Sequence, residues 1–67
     1  MKIYEKEIIN SVVFDLKVLQ KFRNKDELVR FLDYIIVVQK EFGRSDEFME
    51  KLYFIRYYYN IGGKLND

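Results

Sequence analysis

The 67-residue sequence contains no cysteine, histidine, proline, tryptophan, alanine or threonine. Without cysteine, neither a disulfide nor a thiolate metal site can stabilise the chain. Without histidine, the commonest general base and the commonest metal ligand are both missing. Without proline, no helix is interrupted by a residue that lacks a backbone N–H group. These absences predict a fold held by packing alone and a protein without a cofactor or a metal.

The chain also lacks a dominant charge, a long apolar run and a catalytic motif. Twelve basic residues stand against 11 acidic ones, and the resulting net charge of +1 gives little long-range attraction for nucleic acid. The apolar run 34–38 is far shorter than the roughly 20 residues of a membrane span, and no signal-peptide pattern opens the chain. No Ser/His pair, Cys/His pair or glycine-rich phosphate loop is present. The sequence therefore predicts a soluble cytoplasmic protein that is not an enzyme.

Apolar side chains make up 49% of the sequence and aromatic side chains 18%. A domain of this size buries only about 60% of its unfolded surface, so it sits near the lower limit for independent folding. The six residue types with AT-rich codons, Phe, Tyr, Met, Ile, Asn and Lys, account for 33 of the 67 residues. This bias indicates an AT-rich genome, such as that of a low-GC bacterium, its phage or plasmid, or an archaeal virus.

Apolar residues recur at helical spacing in three segments, which predicts three α-helices. Their expected bounds are about 4–23, 25–42 and 46–61. The connections between them are short, and short connections favour antiparallel neighbours. We therefore predict an all-α, antiparallel three-helix bundle that spans residues 1–67 as a single helical domain. The β-branched run 35–38 would also suit a strand, but it lies inside a longer helical pattern.

Capping residues mark the ends of these helices. Asn24 stands where it can cap the second helix, and Gly43 is a typical stop for that helix. Ser45 can cap the third helix. One apolar stripe on each helix is expected to form the core. The inward-facing residues are Ile8, Ile9, Val12, Leu16, Leu19, Phe22, Leu28, Phe31, Leu32, Ile35, Ile36, Val38, Phe42, Phe48, Leu52, Ile55 and Tyr59.

Each predicted helix carries a second apolar or aromatic stripe that a three-helix monomer would leave exposed. Together with Arg56, its members are the candidate interface residues: Phe14, Val18, Tyr34, Val37, Met49, Tyr53, Phe54, Tyr57 and Tyr58. One interpretation is that these residues enlarge the core of a small protein. We favour a protein–protein interface, because large exposed apolar patches mark interaction surfaces and Tyr and Arg are enriched there. The simplest such interface is a homodimer in which each chain completes the core of the other.

A polar pair is a further candidate feature. In an antiparallel bundle Asp15, Asp33 and Arg56 fall at about the same height, and Asp15 with Arg56 is the candidate for a partly buried ion pair. Such pairs add little net stability but can fix register or partner choice. The alternative is that all three side chains reach solvent.

Nucleic-acid binding is the alternative function. Gly43 between two helices invites comparison with a helix-turn-helix, but Asp46, Glu47 and Glu50 would then face the phosphates. Basic residues also lie along the first helix, and with Tyr53 or Tyr57 they could form a platform for single strands. These residues are Lys6, Lys17, Lys21, Arg23 and Lys25. An ordinary solvated lysine surface is the commoner role of such a pattern.

Together these features predict a small, non-catalytic protein–protein interaction module. By analogy of size and composition, it suits a phage-, virus- or plasmid-encoded regulator or inhibitor that binds a host protein in the host cytoplasm. The expected mechanism is steric, with the aromatic helical face around Tyr53 and Tyr57 occupying a groove on the target. The alternative is a small nucleic-acid-binding regulator.

Overall fold

Three α-helices account for most of the chain in the computed structural model, which describes residues 1–66. The helices are α1, Ile3–Leu19, α2, Lys25–Glu41, and α3, Asp46–Asn60. No strand occurs within the described residues. The prediction of an all-α, three-helix fold is therefore confirmed. α2 and α3 begin at the predicted residues and end one residue early, whereas α1 ends well before its predicted end.

The early end of α1 moves Phe22 out of the core. The Phe22 and Arg23 N–H groups both donate to the Leu19 carbonyl at 2.9 Å, so the chain tightens into a turn after the helix. This turn breaks the helical spacing that had placed Phe22 on the apolar stripe, and its side chain is 76% exposed. The prediction that Phe22 lies in the core is wrong for this reason.

Polar side chains cap α2 and α3 at their N-terminal ends as predicted. Asn24 Oδ1 accepts a hydrogen bond from the Glu27 N–H at 2.9 Å. Ser45 Oγ accepts one from the Phe48 N–H at 3.2 Å. Each cap satisfies a backbone donor that the helix itself leaves unpaired. The two caps fix the positions at which the chain turns back on itself.

Glycines end α2 and α3. Gly43 has φ 71° and Gly62 has φ 91°, the left-handed conformation that glycine adopts without a Cβ penalty. Beyond Gly62, the Gly63 N–H donates to the Tyr58 carbonyl at 2.9 Å, as in a Schellman motif. A Cβ at Gly63 would lie 2.6 Å from the Tyr58 ring. The chain therefore passes directly against that ring before it enters the tail at 64–66.

α3 packs against both other helices, and more closely against α2 than against α1. The buried apolar core consists of Val12, Leu16, Leu28, Leu32, Ile36, Phe48, Met49, Leu52 and Tyr59. Met49 was predicted to lie on the interface, but it is only 8% exposed and belongs to this core. Phe42 was predicted to lie in the core, but it is 67% exposed because it follows the last residue of α2 as its C-cap.

Candidate protein-binding surface

Most of the aromatic side chains lie on the surface. Eight of the 12 phenylalanines and tyrosines are at least 46% exposed. These are Tyr4, Phe14, Phe22, Tyr34, Phe42, Tyr53, Phe54 and Tyr57. Single exposed apolar residues are normal on a protein surface, whereas several on neighbouring helix faces form the kind of patch that binds a partner.

The outer side of α3 carries three of the exposed aromatics. Tyr53 is 46% exposed, Phe54 67% and Tyr57 59%. They are exposed because α3 directs Phe48, Leu52 and Tyr59 toward the core. Positions on the other side of the helix therefore face solvent. The three side chains are therefore accessible to a partner, and the interface that the sequence indicated on this helix stays a prediction.

A groove of about 510 Å³ runs between α1 and α3. It forms because α3 packs less closely against α1 than against α2. Its apolar lining comes from Ile9 on α1 and from Phe54 and Ile55 on α3, and its charged lining comes from Glu47, Glu50 and Lys51. An apolar channel bordered by charges of both signs can receive a helix or a large side chain from a partner.

A smaller hollow of about 260 Å³ lies between α1 and α2. Phe14, Val18 and Asp15 of α1 line it together with Leu19 and Phe31. On α2, the predicted interface residues Tyr34 and Val37 are 69% and 61% exposed. Predicted interface residues therefore occur on all three helices, and Phe54 and Phe14 border different depressions.

Arg56 pairs with Asp33 and not with the predicted Asp15. The Arg56 Nε–H donates to Asp33 Oδ1, which links α3 to α2 on the exposed side of their contact. This hydrogen bond raises the pKa of the Arg56 guanidinium further above its ordinary value. Asp15 instead lines the hollow between α1 and α2. The predicted Asp15–Arg56 pair is wrong because Arg56 lies on the flank of α3 that faces α2.

Tyr58, another predicted interface residue, is half-buried and so less exposed than its neighbours on α3. Its hydroxyl donates to the Lys64 carbonyl at 2.9 Å, and its ring packs edge to face on Tyr59 with centroids 6.1 Å apart. Both contacts tie Tyr58 to its own chain. It therefore contributes to the ordering of the tail as well as to the surface.

The basic residues of the proposed nucleic-acid face are spread over α1, the turn after it and the first residue of α2. Lys6, Lys21, Arg23 and Lys25 are exposed and Lys17 is half-buried. Arg23 pairs with Glu27 at 3.4 Å, which offsets part of the positive charge. Arg23 and Lys25 line a small hollow, and the tyrosine that lines the same hollow is Tyr59. That ring is buried, so this hollow does not supply a stacking platform for a base.

Sequence reasoning missed a buried carboxylate that joins α1 to α3. Glu5 is 1% exposed and accepts hydrogen bonds from the Lys2 N–H at 3.1 Å, the Ser45 N–H at 2.9 Å and the Ser45 Oγ–H at 2.9 Å. The backbone donor of Ser45 is the main cause that lowers the pKa of Glu5 below its ordinary value. A glutamate in the first turn of a helix is a capping signal, but nothing in the sequence connects it to Ser45.

A second missed feature is the Gln20 side chain, which fastens the C-terminal tail. Gln20 Oε1 accepts from the Leu65 N–H at 2.9 Å and from the Tyr59 hydroxyl at 2.8 Å, and Gln20 Nε2 donates to the Leu65 carbonyl. Tyr59 is 1% exposed, and burial raises the pKa of its hydroxyl. One amide thus satisfies a buried hydroxyl and holds the tail against the end of α1.

The third missed feature is a cation–aromatic cluster beside the turn between α2 and α3. Arg44 Cζ lies 5.3 Å from the centroid of the Tyr4 ring and 5.0 Å from that of the Phe42 ring. Its Nε–H donates to Gln39 Oε1 at 2.6 Å. Lys2 Nζ lies 5.8 Å from the Tyr4 centroid. We call Lys2, Tyr4, Phe42 and Arg44 the Arg44 cluster.

Neither a metal centre nor a membrane span is found in the part of the chain that the structure describes. Within residues 1–66, no three carboxylates, histidines or cysteines are grouped so that they could hold a metal ion. None of the helices there has both the length and the apolar character needed to cross a membrane.

Comparison of the chain with known protein families, with curated proteins and with solved structures gives no match in any of the three. The assignment of a function therefore rests on the residues of this chain and on their arrangement.

Proposed function

We propose that this protein is a non-catalytic protein–protein interaction module that first pairs with a second copy of itself. The observation that carries the proposal is the exposure of eight of the 12 aromatic side chains. In water this exposed apolar area is unfavourable, at about 25 cal/mol per Å². A chain of this size gains most from association, because its own core is small. Burying part of this surface against a second copy would remove that cost.

The groove between α1 and α3 supports two-fold pairing by its charges. Glu50 and Lys51 are consecutive residues of α3, and both border the groove. In an antiparallel pairing of α3 with its copy, a two-fold axis between them sets Glu50 against the partner's Lys51, and the reverse pair forms by symmetry. The same arrangement brings Phe54 toward the groove of the other copy. The border is therefore self-complementary in charge at these two positions, while Glu47 pairs with the N-terminal ammonium of its own chain at 3.6 Å.

The surfaces that such a dimer leaves free would bind a further protein. Phe14, Tyr34 and Val37 are exposed on α1 and α2, away from the groove between α1 and α3. The AT-rich residue usage fits a phage-, virus- or plasmid-encoded regulator that acts on a host protein in the cytoplasm. Its mechanism would be steric, because an aromatic surface can occupy a binding groove on the target without any chemical step.

Charge exchange across the two-fold axis tests the pairing. Light scattering over a concentration series should give twice the chain mass for the wild type at high concentration. Glu50→Lys and Lys51→Glu should each weaken the dimer by about tenfold, because each creates two like-charge contacts. The double variant Glu50→Lys/Lys51→Glu should restore it, since the exchange preserves every opposite-charge pair.

Matched controls separate this effect from a change in net charge. Glu41→Lys at the end of α2 and Lys25→Glu at its start are both exposed and change the charge by the same amounts. Both should leave the dimer dissociation constant unchanged. A wild-type chain that stays at monomer mass up to millimolar concentration would refute the pairing, and so would a double variant no better than the single ones.

A further inference from the structure

Arg44 is held in a defined orientation by side chains from two parts of the fold. Its guanidinium lies 5.0 Å from the Phe42 ring centroid and 5.3 Å from the Tyr4 ring centroid. Gln39 Oε1 accepts from its Nε–H at 2.6 Å. The neighbouring Gly43 and the capping Ser45 fix the backbone on either side of it. An arginine held in this way loses less conformational freedom when it binds a ligand.

Among the described residues, the Arg44 side chain makes its hydrogen bond through Nε–H, and the donors on its two Nη atoms are suited to a carboxylate. A guanidinium presents its flat faces to aromatic rings and its N–H groups in its own plane. With Nε–H directed to Gln39, the N–H groups on the two Nη atoms remain to donate as a parallel pair. Two parallel N–H groups match the two oxygens of a carboxylate in a bidentate pair.

We propose that the Arg44 cluster is a recognition site for an acidic peptide segment of a partner protein. An Asp or Glu carboxylate of the segment pairs with Arg44, and an adjacent apolar side chain packs on the exposed ring of Phe42. Lys2 adds a second positive charge across the Tyr4 ring. The proposal rests on the proposed function as a protein-binding module, but it uses a surface separate from the groove between α1 and α3.

The charge around the cluster favours a peptide carboxylate over a polyanion. Lys2 and Arg44 are the cations of the cluster, and Asp46 and Glu47 follow closely in the sequence. Nucleic acid requires several cations along its backbone, and a net charge of +1 provides little attraction for it. Phe42 at 67% exposure offers apolar contact area that an inorganic anion would not use. A carboxylate beside an apolar residue uses both parts of the site.

The test is a selection of dodecamer peptides from a random phage-displayed library on the immobilised full chain. We expect the selected peptides to be enriched in Asp or Glu next to an aromatic or aliphatic residue. Synthetic versions should bind Arg44→Gln at least about tenfold more weakly, because a charge-assisted hydrogen-bond pair is lost. Asp→Asn or Glu→Gln in the peptide should cause a similar loss. Arg30→Gln, which removes an exposed arginine from α2, should bind like the wild type.

Several outcomes would overturn the inference. Peptides without acidic enrichment would do so, as would peptides that bind Arg44→Gln as tightly as the wild type. Inorganic phosphate or a single-stranded oligonucleotide that displaces the peptides at micromolar concentration would replace the peptide with a phosphate ligand. Peptides that lose affinity for Tyr57→Ala but not for Arg44→Gln would overturn this site and leave the protein-binding function standing. Thermal unfolding of each variant shows that a loss of binding is not a loss of the fold.

Discussion

Glu5 shows how a single residue joins distant parts of this small fold. A buried carboxylate is unfavourable unless donors compensate for its lost hydration. Here three donors do so, and two of them belong to Ser45, the residue that also caps α3. The start of α1 and the start of α3 are thereby tied to the same pair of oxygens. Glu5 therefore has a structural role, and its ionisation should affect stability.

Glu5→Gln should lower the thermal stability, and the loss should depend on pH. Hydrogen bonds from Ser45 lower the pKa of Glu5 below its ordinary value of 4.5. A depressed folded pKa gives a stabilisation that is complete above the unfolded pKa and is lost as the pH falls through the folded pKa. The difference in Tm between wild type and Glu5→Gln should therefore be constant from about pH 6 to 8 and shrink below pH 4.5.

The exposed Glu7 on the same helix provides the control. Glu7→Gln makes the same chemical change without removing a buried hydrogen-bond acceptor, so its Tm should stay close to that of the wild type. Thermal unfolding followed by circular dichroism at several pH values measures all three proteins. A wild-type to Glu5→Gln difference that does not change between pH 7 and pH 3 would contradict the assigned role.

The contrast between Asn24 and Glu5 shows which residue roles a sequence reveals. The cap by Asn24 involves a residue three positions away, so its signal lies within one turn of sequence. The Glu5–Ser45 contact spans 40 positions and becomes visible only when the helices are placed. The same holds for Arg44, whose stacking on Tyr4 joins a turn to the first turn of α1.

At the scale of helices, the Gln20 amide is one of the contacts that hold the tail to the bundle. It pairs with the Leu65 backbone and accepts the buried hydroxyl of Tyr59. An unpaired buried hydroxyl is costly, whereas the loss of both partners together is nearly neutral. The energetic effect of the contact between Gln20 and Tyr59 of α3 can therefore be separated from the effect of Gln20 on the tail.

Gln20→Ala should destabilise the protein by about 1–3 kcal/mol, because it leaves the buried Tyr59 hydroxyl without its hydrogen-bond acceptor. Tyr59→Phe should cost less than Gln20→Ala, because the amide still pairs with Leu65. The double variant Gln20→Ala/Tyr59→Phe should be more stable than the sum of the two losses predicts, with a coupling of about 1 kcal/mol. Urea unfolding of the four proteins gives this double-mutant cycle, and strict additivity would count against the contact.

Periodicity predicted the helices well, since helical spacing of apolar residues depends only on the chain itself. Periodicity gave the wrong burial for a residue at the edge of the apolar stripe. On the wheel Met49 lies about a quarter-turn from the stripe of Phe48 and Leu52, and the structure includes it in the buried core. The predicted end of α1 was wrong for another reason. Neither a glycine nor a proline marks the turn that begins at Gln20.

At the scale of the whole molecule, the surplus of aromatic residues was visible in the sequence, but its location was not. Composition shows 12 phenylalanines and tyrosines, but it does not tell which of them a core of this size can hold. The structure places four inside or half-inside and the rest in solvent. The groove between α1 and α3 could not be foreseen, because it depends on how closely two helices approach.

If the groove pairs two copies, the thermal stability must depend on protein concentration. For a dimer that unfolds to two chains, each tenfold increase in concentration adds about 0.7 kcal/mol per chain, or about 3–6 °C in Tm for a domain of this size. Phe54→Ala should weaken the dimer and reduce this dependence. Phe22→Ala is the matched control, since Phe22 is 76% exposed and Phe54 67%, and only Phe54 lines the groove.

The two phenylalanine variants also separate pairing from folding. At low concentration, where the chain is monomeric, both should unfold near the wild-type temperature, because neither side chain belongs to the buried core. At high concentration Phe22→Ala should follow the wild type upward while Phe54→Ala remains behind. Calorimetry from micromolar to millimolar concentration distinguishes the cases. A wild-type Tm that is constant over this range would contradict pairing through the groove. The exposed aromatics of α3 would then be available to bind a different protein rather than a second copy of this one.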